Sequence, residues 1–128
     1  MLSASIHYQY DLPRIGCIET IENPLSWEEA KSQCSPKRKL LMIRGMNFKF
    51  LGNFVKQIGK KFWLDIKRDK YGYLRWGSGE YITKYFGFWG TNEPKASENG
   101  DDCGYVDETG KLVITSCNDT INFICIFY

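Results

Sequence analysis

The sequence predicts one disulfide-stapled α+β domain over residues 1–128. Three observations lead to this prediction: helical patterns occur early in the chain, strand patterns occur late, and a long stretch over residues 77–101 keeps neither period. The content of 43% hydrophobic and 16% aromatic residues is enough for a core and excludes a disordered chain. A formal charge of +2 is too close to neutral for a protein whose main partner is nucleic acid.

The first half of the chain predicts strands around two helices. Ile6 and Tyr8 alternate with polar residues, which predicts a strand with one buried face. A helix is expected over residues 24–34, because Ser26 and Glu29 form a capping box ahead of an apolar helical face. The elements expected after it are an exposed basic turn at 37–39, a buried strand at 40–43 and a second helix at 47–58.

The second half of the chain predicts a hairpin, a long loop and closing strands. Residues 62–66 and 73–76 predict two strands that are joined by a charged turn. The loop that follows is long for a compact domain, and a loop of that length usually serves a function. Its clustered aromatic residues at 85–89 indicate that it is ordered. Three closing strands are expected at 103–107, 112–116 and 123–127.

Five cysteines and a single histidine, His7, restrict the chemistry of the chain. A zinc site lacks ligands, because there is no Cys-x-x-Cys pair. Two disulfides and one leftover thiol are expected, which implies an oxidising, extracellular compartment, but the spacing alone leaves the pairing open. The sequon at Asn118 agrees with secretion and predicts a glycosylation site. No apolar run is long enough to span a membrane, and the first residues lack a secretory pattern.

Several sequence motifs follow one another in the order typical of a known family. They are Trp27-Glu28-Glu29-Ala30 before Cys34, Phe62-Trp63-Leu64-Asp65-Ile66, Leu74-Arg75-Trp76-Gly77, Trp89 before Asn92-Glu93-Pro94, and Phe123-Ile124-Cys125. On these motifs the chain resembles the C-type lectin-like domain from about Cys17 to Cys125. The resemblance implies the disulfides Cys34–Cys125 and Cys103–Cys117, and it leaves Cys17 either free or bridged to another chain.

Many members of this family bind sugar through a calcium ion, and the resemblance locates the corresponding positions. Glu93 and Asp101 keep carboxylates, but Lys95 stands where the family has an amide oxygen, and an ammonium group offers no lone pair. Val113 and Ile114 align with two further ligands and carry no oxygen in their side chains. The resemblance therefore implies a degenerate calcium site, without a metal or any other cofactor.

This pattern is similar to the calcium-independent domains of natural-killer-cell receptors and their ligands. The implied function is the binding of a cell-surface protein by the extracellular part of an immune receptor or of its ligand, either as a monomer or as a homodimer. Membrane attachment is expected only through an N-terminal anchor outside this sequence. Two alternatives stay open: a calcium-independent lectin for sulfated polysaccharide, and a virally encoded lectin-like mimic. Catalysis is not expected, because the chain lacks a nucleophile motif and has one histidine.

The long loop and the basic turn beside it form the candidate partner surface. Aromatic residues and arginines are the usual anchors of protein interfaces, and a basic turn steers acidic partners. For the aromatic residues the alternative is a place in the core, and for the basic residues it is a solvated turn. The candidate contact residues are Lys67, Arg68, Lys70, Tyr81, Tyr85, Phe86 and Lys95.

Overall fold

A computed structural model describes residues 5–96 and 102–128 of the chain, with two α-helices and eight strands in that part. The helices are α1 (Trp27–Cys34) and α2 (Phe48–Ile58), and a 3₁₀ turn at Gly45–Asn47 precedes the second. The strands are β1 (Ile6–Leu12), β2 (Gly16–Leu25), β3 (Arg38–Leu40), β4 (Phe62–Arg68), β5 (Leu74–Trp76), β6 (Asp102–Val106), β7 (Leu112–Ser116) and β8 (Ile121–Phe127). This arrangement is the predicted α+β class. Neither of these helices has the length and apolar character that crossing a membrane requires.

The strands form one sheet in the order β1-β2-β8-β4-β6-β7, with β3 paired to β8 and β5 paired to β4. Neighbouring strands run antiparallel except β4 and β8, which run parallel at Phe62↔Asn122 and Trp63↔Phe123. The C-terminal strand is therefore central, and it connects the N-terminal hairpin β1–β2 to the half of the sheet that carries β4 to β7.

The capping box predicted for α1 is present. Ser26 Oγ accepts a hydrogen bond from Glu29 N at 3.3 Å, and Glu29 Oε1 accepts one from Ser26 N at 3.1 Å. Hydrogen bonding of the Glu29 carboxylate with the backbone and side chain of Ser26 lowers the pKa of this carboxyl group. The predicted start at residue 24 is wrong, because β2 continues to Leu25 and the helix begins at Trp27. The helix buries Trp27, Ala30 and Cys34 on one face, as its apolar spacing predicts.

Helix α2 packs its apolar face into the core and ends at Gly59, whose φ of 75° lies in the left-handed region. The ring of Phe48 lies 5.1 Å from the ring of Phe86 in the long loop. On the same helix, a Cβ atom at Gly52 would lie 2.6 Å from the carbonyl oxygen of Gly110. A helix backbone thus packs directly against the β6–β7 turn, where no side chain has room.

The structure forms the two disulfides that the resemblance implies. Cys34 of α1 is bonded to Cys125 of β8, and Cys103 of β6 is bonded to Cys117 after β7. The first bond joins residues 91 apart in sequence, so it ties the helical first half to the last strand. Cys17 of β2 is exposed and forms no disulfide within the chain, which leaves both expectations for this thiol open.

The N-terminal hairpin differs from the prediction in two respects. The alternation at Ile6 and Tyr8 did not reveal that β1 pairs with a second strand, β2. The predicted buried face is wrong for the start of β1, since Ile6 is 47% and Tyr8 51% exposed. The reason is that β1 is the edge strand and only its later part covers α2, where the ring of Tyr10 lies 4.7 Å from the ring of Phe54.

The exposed basic turn predicted at residues 37–39 is wrong. Arg38 lies in β3, and its half-buried guanidinium group forms an ion pair with Glu19, which is 8% exposed. The pair forms because β2 and β3 both hydrogen-bond to β8. The strand predicted at 40–43 is also placed too late, since β3 ends at Leu40.

Candidate functional site

The degenerate calcium position is a compact set of hydrogen bonds between the long loop and β7. Glu93 Oε1 accepts a hydrogen bond from the backbone N–H of Ile114 at 2.8 Å, and Glu93 Oε2 forms an ion pair with Lys95 Nζ. The same ammonium group donates to the backbone carbonyl of Ile114 at 3.2 Å. The Glu93 side chain is only 3% exposed, whereas the Lys95 side chain is 59% exposed. A buried carboxylate is therefore neutralised by a cation that the chain itself supplies.

The described residues at this position do not fit a calcium ion. Calcium takes six to eight oxygen ligands, but both carboxylate oxygens of Glu93 are engaged by nitrogen donors. The ammonium group of Lys95 adds a positive charge, and the side chains of Val113 and Ile114 carry no donor oxygen. Asp101, the other carboxylate expected here, lies outside the described residues.

Four exposed tyrosines surround the hairpin turn and the start of the long loop. We call them the tyrosine surface: Tyr71, Tyr73, Tyr81 and Tyr85, which are 72%, 59%, 57% and 82% exposed. Three of them line a groove of about 710 Å³ whose other wall includes Pro94, next to the Glu93–Lys95 pair. Solvent-exposed aromatic side chains in this number are typical of a protein interface rather than of a solvated loop.

Contacts within the tyrosine surface hold two of its side chains in place. The rings of Tyr73 and Tyr81 meet edge to face with 5.6 Å between centroids. The Arg75 guanidinium carbon lies 4.1 Å from the Tyr81 ring centroid, and its Nη2 donates to the Tyr81 hydroxyl at 2.6 Å. Arg75 is fixed in turn by Asp69 Oδ2 at 2.7 Å from its Nε. Tyr73 and Tyr81 would therefore lose little side-chain entropy on contact with a partner.

Comparison with known proteins identifies the family. The Lectin C-type domain family matches residues 23–127, which is most of the chain. The chain belongs to the C-type lectin domain family. A search of curated proteins gives no significant match.

Solved structures of C-type lectin domains are similar to this fold. The mouse scavenger receptor C-type lectin carbohydrate-recognition domain is 20% identical over 91% of this chain and 91% of that chain, with a TM-score of 0.73. The natural killer cell receptor Ly49C is 20% identical over 94% of this chain and 90% of that chain, with a TM-score of 0.71. The C-type lectin TC14 of the tunicate Polyandrocarpa misakiensis is 19% identical over 84% of this chain and 94% of that chain, with a TM-score of 0.71. At these identities the likeness shows the fold.

Membership in the family determines the class of activity. C-type lectin-like domains are binding domains rather than enzymes, and they bind proteins or glycans. This chain is therefore a non-enzymatic binding domain. A lectin domain with two disulfides indicates an extracellular or secreted setting. The sequon residue Asn118 is exposed in the turn between β7 and β8, and its glycosylation stays a prediction.

Two candidate contact residues have internal roles in the lectin domain, and contact of either residue with a partner stays a prediction. Arg68 is 9% exposed, and its guanidinium group donates to Asp102 Oδ2 at 2.9 Å, to the Gly72 carbonyl at 2.9 Å and to the Lys95 carbonyl at 2.8 Å. Phe86 is half-buried against the ring of Phe48, so the core alternative applies to it.

The other candidates are at the surface but do not form one cluster with a common role. Tyr81 and Tyr85 belong to the tyrosine surface, and Lys70 lies beside it with its Nζ 5.2 Å from the Tyr71 ring. Lys95 is engaged by Glu93, as described above. Lys67 is half-buried, with its Nζ over the indole of Trp27. The predicted contact residues did not include Tyr71, Tyr73 and Arg75, although two tyrosines that flank Gly72 at a hairpin tip indicate an exposed aromatic pair.

Proposed function

We propose that this C-type lectin-like domain binds a protein partner without calcium. The observation that carries the proposal is the Glu93–Lys95 ion pair, because an ammonium group stands where the metal-dependent members of the family need an oxygen donor. A domain that recognises its ligand without the metal needs another source of binding energy. The tyrosine surface supplies aromatic area of the kind that dominates protein interfaces.

The charges around the tyrosine surface favour an acidic partner. Each of three tyrosines has a cation against its ring, which places positive charge at the rim of an aromatic centre. The pairs are Lys70 with Tyr71 at 5.2 Å, Arg75 with Tyr81 at 4.1 Å, and Lys84 with Tyr85 at 5.2 Å. A protein surface with carboxylates around an apolar patch complements this arrangement.

We further propose that the domain is the extracellular part of a cell-surface immune receptor or of its ligand, attached through an N-terminal anchor. The similarity of fold to the natural killer cell receptor Ly49C supports this setting. The exposed thiol of Cys17 offers a position for a disulfide between two copies. Migration at twice the monomer mass on a non-reducing gel, lost on reduction and in Cys17→Ser, would support such a homodimer.

The test is a binding screen of the folded domain against a panel of cell-surface proteins, run with calcium and with EDTA. We expect one partner to bind equally well in both conditions. Replacing Tyr85 by alanine should then weaken binding by about 30-fold if this residue is one of the anchors. Binding that EDTA abolishes would overturn the proposal.

Tyr8 provides a matched control for this experiment. It is 51% exposed on the edge strand β1, outside the tyrosine surface. Tyr8→Ala removes the same side chain and should leave the affinity unchanged. If Tyr8→Ala and Tyr85→Ala lose affinity equally, the tyrosine surface is not the contact site.

A further inference from the structure

A second candidate ligand site lies between α1 and the β4–β5 hairpin. A cavity of about 230 Å³ opens there, with Trp27 and Lys31 of α1 on one side and Asp65, Lys67 and Arg75 of the hairpin on the other. This volume is far larger than the roughly 10–15 Å³ that one water needs, so the cavity can admit a small ligand. Neither Glu93 nor Lys95 lines this cavity, so it is separate from the degenerate calcium position.

The floor of the cavity is the carboxylate of Asp65, which the domain leaves without a close partner. The side chain is 10% exposed, and among the described residues it accepts no hydrogen bond. Its nearest cation is Lys31 Nζ, at 4.0 Å from Oδ1. Burial raises the pKa of the Asp65 carboxyl group, and the positive charges of Lys31 and Lys39 offset this only partly. An acceptor in this state lacks donors, and a ligand hydroxyl group can supply them.

A glycine makes room for the carboxylate at the floor. A Cβ atom at Gly77 would lie 1.9 Å from Asp65 Oδ2 and 2.5 Å from its carboxyl carbon. The carboxylate therefore lies directly against the backbone of Gly77, and the backbone N–H of Gly77 donates to the Asp65 carbonyl at 2.9 Å. Any side chain at position 77 would take the space of the carboxylate.

The mouth of the cavity is positively charged. Lys31 Nζ and Lys67 Nζ lie 5.0 and 5.3 Å from the Trp27 ring centroid, so both ammonium groups contact one indole. Lys67 Nζ also lies 3.4 Å from Oε1 of Glu28, an exposed carboxylate that a sulfate could displace. Their side chains are 51% and 42% exposed, far more than the Asp65 side chain. Lys67 also stands opposite Arg75 in the β4–β5 register. Asp69 also lines the cavity, and its carboxylate pairs with Arg75, so the two lysines supply the positive charge of the mouth above the Asp65 carboxylate.

We propose that this cavity binds one sulfated sugar unit, with its sulfate on Lys31 and Lys67 and a ring hydroxyl donating to Asp65. The ammonium groups at the mouth and the carboxylate at the floor together favour a sulfated sugar over other ligand classes. A simple anion would meet the carboxylate at the floor, and a simple cation would meet the ammonium groups at the mouth. A sulfated sugar carries a negative group and neutral hydrogen-bond donors on one ring, which complements both levels of the cavity.

The test is a calorimetric titration of the disulfide-bonded domain with a sulfated disaccharide prepared from heparin, and with the same disaccharide after desulfation. We expect the sulfated probe to bind and the desulfated probe to bind at least about tenfold more weakly. Lys31→Gln and Lys67→Gln should each lower the affinity several-fold. Lys56→Gln, which removes the same charge from an exposed position of α2, should not change it. An equal loss in the Lys56 variant would show diffuse attraction to the whole surface and would overturn the site.

Asp65→Asn distinguishes a ligand group from a structural one. If the carboxylate accepts a sugar hydroxyl, the variant should bind about tenfold more weakly while its melting temperature rises, because a poorly solvated charge is removed. Equal or tighter binding by Asp65→Asn would show that the carboxylate only repels the sulfate, and would refute the proposal. Tight binding of a free zwitterionic amino acid in place of the sugar would refute the ligand class.

This proposal and the protein-binding function fail independently. Tyr85→Ala should leave saccharide binding unchanged, and Lys31→Gln should leave binding of the protein partner unchanged. Loss of both activities in one of these variants would indicate a general folding defect, which the melting temperature and near-ultraviolet circular dichroism of that variant would reveal. If each variant kept its fold and lost both activities, a separate sugar site would be excluded.

Discussion

Replacing Lys95 by glutamine tests the ion pair on which calcium independence depends. The substitution keeps the length of the side chain and removes its charge. Glu93 then keeps the hydrogen bond from the Ile114 N–H but loses its only cation among the described residues, while its side chain stays 97% buried. We expect the domain to become less stable.

The magnitude follows from the unequal burial of the two partners. Leaving one partner of a fully buried pair without the other costs about 3–5 kcal/mol, whereas an exposed pair is worth about 0–1 kcal/mol. Here the carboxylate is buried and the ammonium group is 59% exposed, so solvent screens part of the interaction. An intermediate loss of about 1–3 kcal/mol is expected, including the hydrogen bond to the Ile114 carbonyl at 3.2 Å.

Urea denaturation of four chains measures this loss: the parent, Glu93→Gln, Lys95→Gln and the double variant. Because the cost of Lys95→Gln arises from an unpaired carboxylate, adding Glu93→Gln should restore part of the stability. A Lys95→Gln variant as stable as the parent would refute the reasoning. A double variant no more stable than Lys95→Gln would refute it as well.

The effect of calcium on the free energy of unfolding can be measured in the same experiment. Lys95→Asn supplies an amide oxygen at the position where the metal-dependent members have one, but the side chains of Val113 and Ile114 remain without oxygen. We therefore expect millimolar calcium to leave the unfolding free energy of the parent and of Lys95→Asn unchanged. A ligand that binds only the folded state must raise it, so a calcium-dependent gain would contradict the proposed calcium independence.

Three further predictions concern the stability of the fold that supports the two sites. Removing the long-range disulfide with Cys34→Ala/Cys125→Ala should cost about 4–5 kcal/mol in the chain-entropy account of a 91-residue separation, measured by urea denaturation. Asp65→Asn should stabilise the domain at neutral pH, because the raised pKa of Asp65 shows that the charged carboxylate destabilises the fold. The parent loses stability as pH rises through this pKa, so the advantage of Asp65→Asn over the parent should vanish in acid. Gly52→Ala should destabilise by about 2 kcal/mol despite better helix propensity, since its Cβ would meet the Gly110 carbonyl at 2.6 Å; unchanged stability would contradict this packing.

Local sequence patterns predicted the two helices, because capping and apolar spacing involve residues that are close in sequence. The capping box at Ser26 and Glu29 predicted α1, and the apolar spacing from Phe48 predicted α2. The edges of the sheet were predicted less well, because their exposure depends on distant strands. Nothing near Ile6 reveals that β1 lies at an edge, and nothing near Arg38 reveals the Glu19 carboxylate on β2.

In the candidate site, too, the sequence predicted residue types but not the contacts between distant segments. The substitution of Lys95 for an amide indicated a degenerate calcium position from the sequence, and the structure adds the geometry through which Glu93 and Ile114 engage the ammonium group. The role of Arg68 could not be predicted, since its three acceptors come from different parts of the chain. The cavity at Asp65 was also not predicted, because it forms only when α1 packs against the β4–β5 hairpin.

Two internal cations hold residues 93–95 of the long loop. The Lys95 carbonyl accepts from the Arg68 guanidinium at 2.8 Å, while the Lys95 ammonium group holds Glu93 and the β7 backbone. The segment at residues 93–95 is therefore fixed from both sides by groups of the chain itself. Pro94 of this segment forms one wall of the groove that Tyr73, Tyr81 and Tyr85 line. Since that wall depends on a guanidinium and an ammonium group, removal of calcium should not alter the surface that we propose for partner binding.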